Sequence, residues 1–175
     1  MTSPQLIVAD LSIHRELLIA MNVEYLSWVF REMEQAFGIQ YEKTMGMSAD
    51  EYVPTVIDKV CGQSPPEGIF YLLSQHGNIV GMGGLRRLSQ TQAEIKRIYL
   101  RSDCRGTGLG QQLLERLIAD ARQMGYTRVC LDTAPFMKSA QRLYTQCGFA
   151  DCSPYEGTEV APEFQTRWRF MARVL

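Results

Sequence analysis

One short segment of the sequence combines residue types that could bind an anion. The segment reads Arg105-Gly106-Thr107-Gly108-Leu109-Gly110. Glycines let the backbone approach a ligand closely and adopt positive φ. The amphipathic stretch that follows, residues 109–124, predicts a helix, and the start of a helix offers unpaired N–H groups and a positive dipole end. The segment therefore predicts a phosphate or pyrophosphate site, to which Arg105 adds a formal positive charge.

Two other phosphate-binding motifs do not match this segment. A Walker A loop needs a lysine after its last glycine, and no lysine stands near these glycines. A dinucleotide-binding fingerprint has the pattern G-x-G-x-x-G, and Gln111 stands here where its third glycine should be. Taken alone, the hexapeptide is also compatible with a turn that merely needs glycine.

A second motif gives the segment a family context. Residues 140–149 read A-Q-R-L-Y-T-Q-C-G-F, and residues 94–100, before the glycine loop, read E-I-K-R-I-Y-L. In this order and separation, the three segments resemble the GNAT superfamily of acetyl-CoA-dependent N-acetyltransferases. The resemblance covers residues 69–151 and implies acetyl-CoA as the cosubstrate.

The resemblance also implies a role for each matching position. Backbone amides of residues 105–110 would hold the pyrophosphate of acetyl-CoA, while the pantetheine arm would pair with the backbone of Ile98, Tyr99 and Leu100. Tyr144 would protonate the departing thiolate, with a buried packing aromatic as the alternative. Glu94 would act as a base through water, as in some members, with an exposed strand charge as the alternative.

One position departs from the family pattern in a way that bears on the cosubstrate. Many members have asparagine three residues before Ala140, where it can bond the pantetheine, but this sequence has Met137. Ser139 is the nearest substitute for that contact.

The chemistry implied by the family needs no covalent intermediate. Acetyl transfer to an amine requires removal of a proton from the ammonium form, stabilisation of an oxyanion and protonation of a thiolate. Holding both substrates together supplies much of the rate. Cys104 and Cys147 are alternative nucleophiles, but neither has a histidine near it in sequence. We therefore expect direct transfer in a ternary complex.

The elements that must position these residues follow from the hydrophobic pattern. Residues 10–37, 48–62, 109–124 and 136–147 predict helices. Residues 69–73, 79–88, 93–100, 127–132, 149–152 and 166–173 predict strands, with Ile95, Arg97 and Tyr99 on one face of the third. This order predicts an α/β (α+β) fold, with a mixed, mostly antiparallel central sheet flanked by helices and a β-α-β crossover at residues 95–131. We expect a single N-acetyltransferase domain over residues 1–175.

Composition excludes several other classes of function. The chain has 175 residues, with 18 Lys and Arg against 19 Asp and Glu, so its net charge of −1 indicates neither a nucleic-acid nor a membrane partner. Its 5 cysteines are an odd number without a C-x-x-C pattern, so no disulfide framework or metal site is predicted. The lack of a secretory signal in the first residues predicts a cytoplasmic location.

The acceptor is less well determined by the sequence. We expect a primary amine of a small molecule or an amino-acid-like compound, bound between the first two helices and the last strands. The loop at residues 153–163 carries three acids that would suit a cationic amine. Candidate contacts are Tyr25, Glu24, Glu32, Tyr52, Arg86, Tyr155 and Glu159.

Two alternative functions remain. One is a coenzyme-A-binding sensor without catalysis, and the other is a transferase that acts on protein lysines or N-termini. Homodimers are common in the family, so a homodimer is one alternative for the oligomeric state of this protein.

Overall fold

The computed structural model describes residues 4–175, and residues 1–3 lie outside the described part of the chain. Its strands are β1 (Gln5–Val8), β2 (Gly68–Gln75), β3 (Asn78–Arg87), β4 (Gln92–Leu100), β5 (Arg128–Thr133), β6 (Ala150–Asp151) and β7 (Arg169–Val174). Its α-helices are α1 (Leu11–Phe37), α2 (Tyr41–Met45), α3 (Ala49–Cys61), α4 (Leu109–Gln123), α5 (Lys138–Gln146) and α6 (Pro162–Gln165).

The seven strands form one sheet in the order β1-β2-β3-β4-β5-β7-β6. Neighbouring strands are antiparallel except for β4 and β5, which are parallel and joined through α4. A parallel pair needs such a crossover, and the amphipathic α4 supplies it. The predicted mixed, mostly antiparallel sheet flanked by helices is therefore confirmed.

Each face of the sheet carries its own hydrophobic core because successive strand residues point to opposite sides. On one face, α4 and α5 pack against the sheet through residues such as Leu113, Leu117 and Tyr144. On the other face, α1 and α3 pack through residues such as Leu18 and Ile57. The chemistry-bearing segments lie where the helices of both faces meet β4 and β5.

Local capping explains where the two long N-terminal helices begin. The Asp10 side chain accepts a hydrogen bond from the Ser12 N–H at the start of α1. At the start of α3, Ser48 and Glu51 form the reciprocal capping box that their spacing indicates. These contacts satisfy N–H groups that a helix start would otherwise leave unpaired.

Several short elements escaped the sequence analysis. Strand β1 and helices α2 and α6 have no more than five residues each. Segments of this length are too short to show a hydrophobic periodicity in the sequence. The predicted helix at residues 136–147 is shorter, at Lys138–Gln146. The strands expected at residues 149–152 and 166–173 are Ala150–Asp151 and Arg169–Val174.

The predicted faces of β4 are wrong because the strand contains a β-bulge. Pairing with β3 shifts register between Met82 and Gly84, so one residue of β3 lies opposite two of β4. Arg97, at the bulge, has a φ of 59°. Ile95 consequently packs in the α4 core, while Tyr99 packs in the α1 core. Alternation along an unbroken strand would have put both on one side.

No helix among residues 4–175 is long and apolar enough to cross a membrane.

Candidate active site

The glycine loop before α4 presents a run of free backbone donors. The N–H groups of residues 106–111 make no hydrogen bond to any described residue, and the first helical bond runs from the Gln112 N–H to the Gly108 carbonyl at 3.1 Å. Gly106 and Gly108 have φ values of 75° and 85°, which strain any residue with a Cβ atom. The first turn of α4 contains no acidic residue, so no negative side chain of that turn offsets the positive end of the helix dipole.

This loop forms one wall of a cleft of about 520 Å³. Eight of the predicted cofactor residues line it, namely Ile98, Tyr99, Leu100, Arg105, Gly106, Gly108, Gly110 and Ser139. Thr107, Leu109 and Tyr144, which is also a predicted cofactor contact, do not line it. The Thr107 hydroxyl donates to the Cys104 carbonyl at 2.7 Å, and the Leu109 side chain is buried in a core cluster with Leu73. These two residues can meet a ligand in the cleft through their backbone amides.

The cleft exists because β4 and β5 diverge. Within the described chain, the two strands pair only from Gln92 to Glu94, opposite Arg128 to Cys130. Beyond Glu94, the edge of β4 that faces β5 has no partner strand and lies open to the cleft. An extended pantetheine arm could pair there by strand addition, as the family resemblance implies.

Aromatic, cationic, aliphatic and polar side chains all contribute to the walls of the cleft. The Arg105 guanidinium lies 5.3 Å from the ring centre of Trp28 and donates through Nε to the Leu100 carbonyl at 3.0 Å. Met137 also lines the cleft, at the position where many family members have asparagine. The neighbouring Ser139 hydroxyl accepts a hydrogen bond from Arg142 at 3.4 Å.

A second cavity, of about 190 Å³, lies on the other side of the bulge. It is lined by β4 residues 94–97, whereas β4 residues 98–100 line the cleft. One strand therefore runs from one cavity to the other. The remaining walls come mainly from α1, the end of β5 and the segment after β6.

Glu94 lines this second cavity, and its exposed fraction is 2%. It forms a salt bridge with the Arg86 guanidinium and accepts a hydrogen bond from the Tyr155 hydroxyl at 2.8 Å. The alternative of an exposed strand charge is therefore wrong. Both carboxylate oxygens therefore accept hydrogen bonds from side chains of the described chain.

Asp132, at the end of β5, is a candidate base that the sequence analysis missed. It lines the second cavity, and its Oδ2 lies 3.4 Å from the oxygen of the Tyr155 hydroxyl, which donates its proton to Glu94. Burial, together with the nearby negative charge of Glu94, raises the pKa of Asp132 to about 7. A single acid after a buried strand gives no sequence signal, because its environment depends on how β4 and β5 separate.

Tyr144 lies on the inner face of α5 and is 6% exposed. Burial raises the pKa of the Tyr144 hydroxyl, and the negative charge of Asp132 raises it further. A phenol of this kind keeps its proton at neutral pH and can act as a proton donor. The hydroxyl makes no hydrogen bond to a described residue, and the Tyr144 side chain lines neither the cleft nor the second cavity.

The cysteines are poorly suited to nucleophilic catalysis. All five are free, and burial raises the pKa of the thiols of Cys104 and Cys147, the two alternative nucleophiles. A raised thiol pKa disfavours the reactive thiolate. Among residues 4–175, no group of three or more histidine, cysteine or carboxylate side chains is placed to hold a metal ion.

The acceptor candidates divide into two groups. Tyr25 and Glu159 line the second cavity, and Tyr155 and Arg86 contact Glu94 beside it. The other three do not line it, and these are Glu24, Glu32 and Tyr52. Of the three acids in the loop at residues 153–163, Glu159 alone lines the cavity, where it accepts from Lys96 at 2.9 Å.

Sequence comparison gives the family to which this fold and these cavities belong. The profile of the acetyltransferase (GNAT) family matches residues 28–149. The chain is 28% identical over 124 residues to the uncharacterized N-acetyltransferase YjgM of Escherichia coli (strain K12), covering 69% of this chain and 72% of that protein. It is 31% identical over 91 residues to an IAA acetyltransferase of Azospirillum brasilense, covering 51% of this chain and 60% of that protein.

Solved structures share the fold. The PaiA N-acetyltransferase of Thermoplasma acidophilum in complex with coenzyme A superposes with a TM-score of 0.71 at 16% identity, over 99% of this chain and 100% of that chain. This protein belongs to the GNAT family of acetyltransferases. The predicted family, fold and enzyme class, an acyltransferase, are thereby confirmed.

The glycine loop gives a first testable prediction. We expect Gly108→Val to weaken acetyl-CoA binding about tenfold or more in isothermal titration calorimetry, because a β-branched residue cannot hold the φ that aims the loop amides. The matched control is Gly125→Val, at the far end of α4, where φ is 86° and a Cβ atom also meets open space. Equal affinity in both variants and the wild type would refute the role of the loop.

Proposed function

We propose that this protein transfers an acetyl group from acetyl-CoA to a primary amine of a small molecule or amino-acid-like acceptor, directly and within a ternary complex. One observation carries the proposal: β4 lines a cofactor-sized cleft with residues 98–100 and a separate polar cavity with residues 94–97. A thioester bound along the cleft and an amine bound in the cavity would therefore meet at the bulge. Holding them there removes much of the entropic cost of the reaction.

Acetyl-CoA binding rests on the loop and the open strand edge. The free amides of residues 106–111 and the start of α4 suit the pyrophosphate, and the exposed edge of β4 suits the amide groups of pantetheine. A backbone N–H of the same edge could donate to the thioester carbonyl and stabilise the oxyanion that forms there. Coenzyme A in the PaiA relative supports this use of the fold.

Proton removal from the acceptor is assigned to the carboxyl groups of the second cavity. Glu94 carries its charge in a salt bridge with Arg86, and Asp132, beside it, has a pKa of about 7. A carboxyl group poised near neutral pH is well matched to accept a proton from an ammonium group. We therefore assign the base role to Asp132, with Glu94 and Tyr155 holding it in place and Glu94 remaining the base if transfer runs through water.

Proton return to the leaving group is assigned to Tyr144. In the reaction the ammonium proton passes to Asp132, the N–C bond to the acetyl group forms and the C–S bond breaks. The thiolate sulfur takes the Tyr144 proton, and the nitrogen loses a second proton to solvent as the amide forms. Burial keeps Tyr144 protonated at neutral pH, and its phenolate regains a proton from solvent after the transfer.

The size of the second cavity supports a small acceptor. Its volume of about 190 Å³ is below the roughly 300–1,000 Å³ typical of sites for drug-sized ligands. The relative from Azospirillum brasilense is named an IAA acetyltransferase, which is in keeping with a small-molecule acceptor for this chain as well.

A thiol-release assay tests the proposed function. Acetyl-CoA would be incubated with the protein and a panel of amines, amino acids and peptides, and free coenzyme A would be measured with a thiol reagent. We expect release with small amines or amino acids. Binding of acetyl-CoA without release in any mixture would identify a sensor instead, and a peptide that outcompetes every free amine would identify a protein acetyltransferase.

The base assignment predicts a pH dependence. Below about pH 7, Asp132 keeps its proton and cannot accept another, so kcat/KM should fall there by an additional factor of about ten per pH unit. Asp132→Asn should lack this additional slope and should lower kcat/KM about 100-fold at neutral pH. Asp50→Asn, an exposed residue at the start of α3, is the matched control. An unchanged profile in Asp132→Asn would contradict the assignment.

Tyr144→Phe separates catalysis from binding. We expect kcat to fall by about 100-fold, while the Kd for acetyl-CoA stays within about threefold, because only the proton donor is removed. Tyr126→Phe is the control, because it removes the hydroxyl of another buried tyrosine, one that contacts Arg87 and the Pro66 carbonyl. Equal turnover in Tyr144→Phe and the wild type would exclude Tyr144 as the acid.

A further inference from the structure

The charged groups of the second cavity are not all paired with one another. Five charged residues line it, and two of them, Lys96 and Glu159, form an ion pair at 2.9 Å. A third, Glu94, is paired with Arg86. The remaining two are Arg97 and Asp132, and neither forms an ion pair with a described residue. The cavity therefore presents one cation and one carboxyl group that have no ion-pair partner in the described chain.

Arg97 is the more unusual of the two. None of its side-chain nitrogens is hydrogen-bonded to a described residue, and its Nη1 is buried without a partner. Buried polar groups in proteins are nearly always hydrogen-bonded, so an exception in a cavity points to a ligand. Because Nε and Nη2 also have no hydrogen-bond partner in the described chain, the guanidinium can bind a carboxylate through two hydrogen bonds, one of them from Nη1.

The backbone is arranged so that Arg97 reaches the cavity. In a regular strand, Lys96 and Arg97 would point to opposite faces, but both line the cavity. The bulge and the positive φ of Arg97 produce this arrangement, at the cost of a sparsely populated backbone conformation. The guanidinium then lies 5.5 Å from the ring centre of Tyr25, which fixes its position over the cavity wall.

We propose that the acceptor carries a carboxylate beside its amine, and that Arg97 binds this carboxylate while the amine faces Asp132. This inference rests on the proposed function and specifies the class of its substrate: an amino acid or a close analogue. The rest of the wall is apolar, including Leu26, Val29, Phe30 and Met33, so an apolar side chain suits the remaining space. Glu159 lies within ion-pair distance of Lys96, Arg86 and Lys59, so Arg97 is the one cation lining the cavity that has no carboxylate partner in the described chain.

Matched substrate pairs test the inference. Each pair consists of an amino acid and the amine that lacks only its carboxylate, such as leucine with isopentylamine and phenylalanine with phenethylamine, within a panel that extends to other apolar amino acids. We expect the wild type to prefer the amino acid by about 10- to 100-fold in kcat/KM, the worth of a charge-assisted bidentate contact. Arg97→Gln should lower kcat/KM for the amino acid by about 10- to 100-fold more than for the carboxylate-free amine, so that the ratio within each pair approaches one.

Two controls separate recognition from damage to the protein. Arg97→Lys keeps the charge but loses the fork of donors, so it should retain part of the preference. Arg122→Gln makes the same exchange as Arg97→Gln on the exposed face of α4 and should leave the preference intact. Acetyl-CoA affinity measured by calorimetry should be equal in all three variants, which reports that the cleft and the fold are preserved.

The outcomes distinguish this inference from the proposed function. Equal kcat/KM for both members of each pair in the wild type, or a preference that survives in Arg97→Gln, would overturn the carboxylate subsite and leave acetyl transfer standing. Failure to release thiol with every amine and peptide would overturn the proposed function and, with it, this inference. Loss of the preference in Arg97→Gln, with the preference kept in Arg122→Gln, supports the carboxylate subsite and the proposed acetyl transfer together.

Discussion

The separation of β4 from β5 is the constraint on which the rest of the structure depends. The two strands pair at only three positions and then diverge. If their backbones had continued to pair, no gap would exist between them. The divergence leaves an open strand edge on one side of the bulge and a polar cavity on the other. The cleft, the free loop amides and the cavity all open onto this gap between parallel neighbours.

The charged cluster beside the gap follows from the same arrangement. Burying charges is costly unless each is paired and hydrogen-bonded, and Glu94 meets that condition through Arg86 and Tyr155. Burial and, after it, the nearby Glu94 carboxylate disfavour ionisation of Asp132, whose pKa is raised to about 7. Glu94 is ion-paired with Arg86, whereas Asp132 has no ion-pair partner in the described chain and can exchange a proton near neutral pH.

Sequence reasoning reached the parts of the site that are local in the chain. The glycine loop and α4 are contiguous, so their residue types indicate the free amides directly, and Tyr144 stands within a recognisable motif. Asp132 and Arg97 were missed because their roles depend on tertiary placement. Asp132 matters only where β5 leaves β4, and Arg97 reaches the cavity only through a register shift that involves Gly83 of another strand.

The same distinction explains the errors in the fold. Periodicity identified α1, α3 and α4, which bury long apolar stripes, and it failed for β1, α2 and α6, which are too short to show one. It also assumed strict alternation along β4, which the bulge breaks. The sequence carries no separate sign of that bulge, since Arg97 is an ordinary strand residue in type and is held at positive φ by its surroundings.

A crystal structure of the protein with coenzyme A tests the central claim most directly. The account predicts the pyrophosphate within hydrogen-bonding distance of the backbone amides of residues 106–111, and the pantetheine arm extended between β4 and β5, with its sulfur at the bulge. A pyrophosphate bound elsewhere, with those amides left facing solvent and the gap between β4 and β5 closed or filled by side chains, would contradict it.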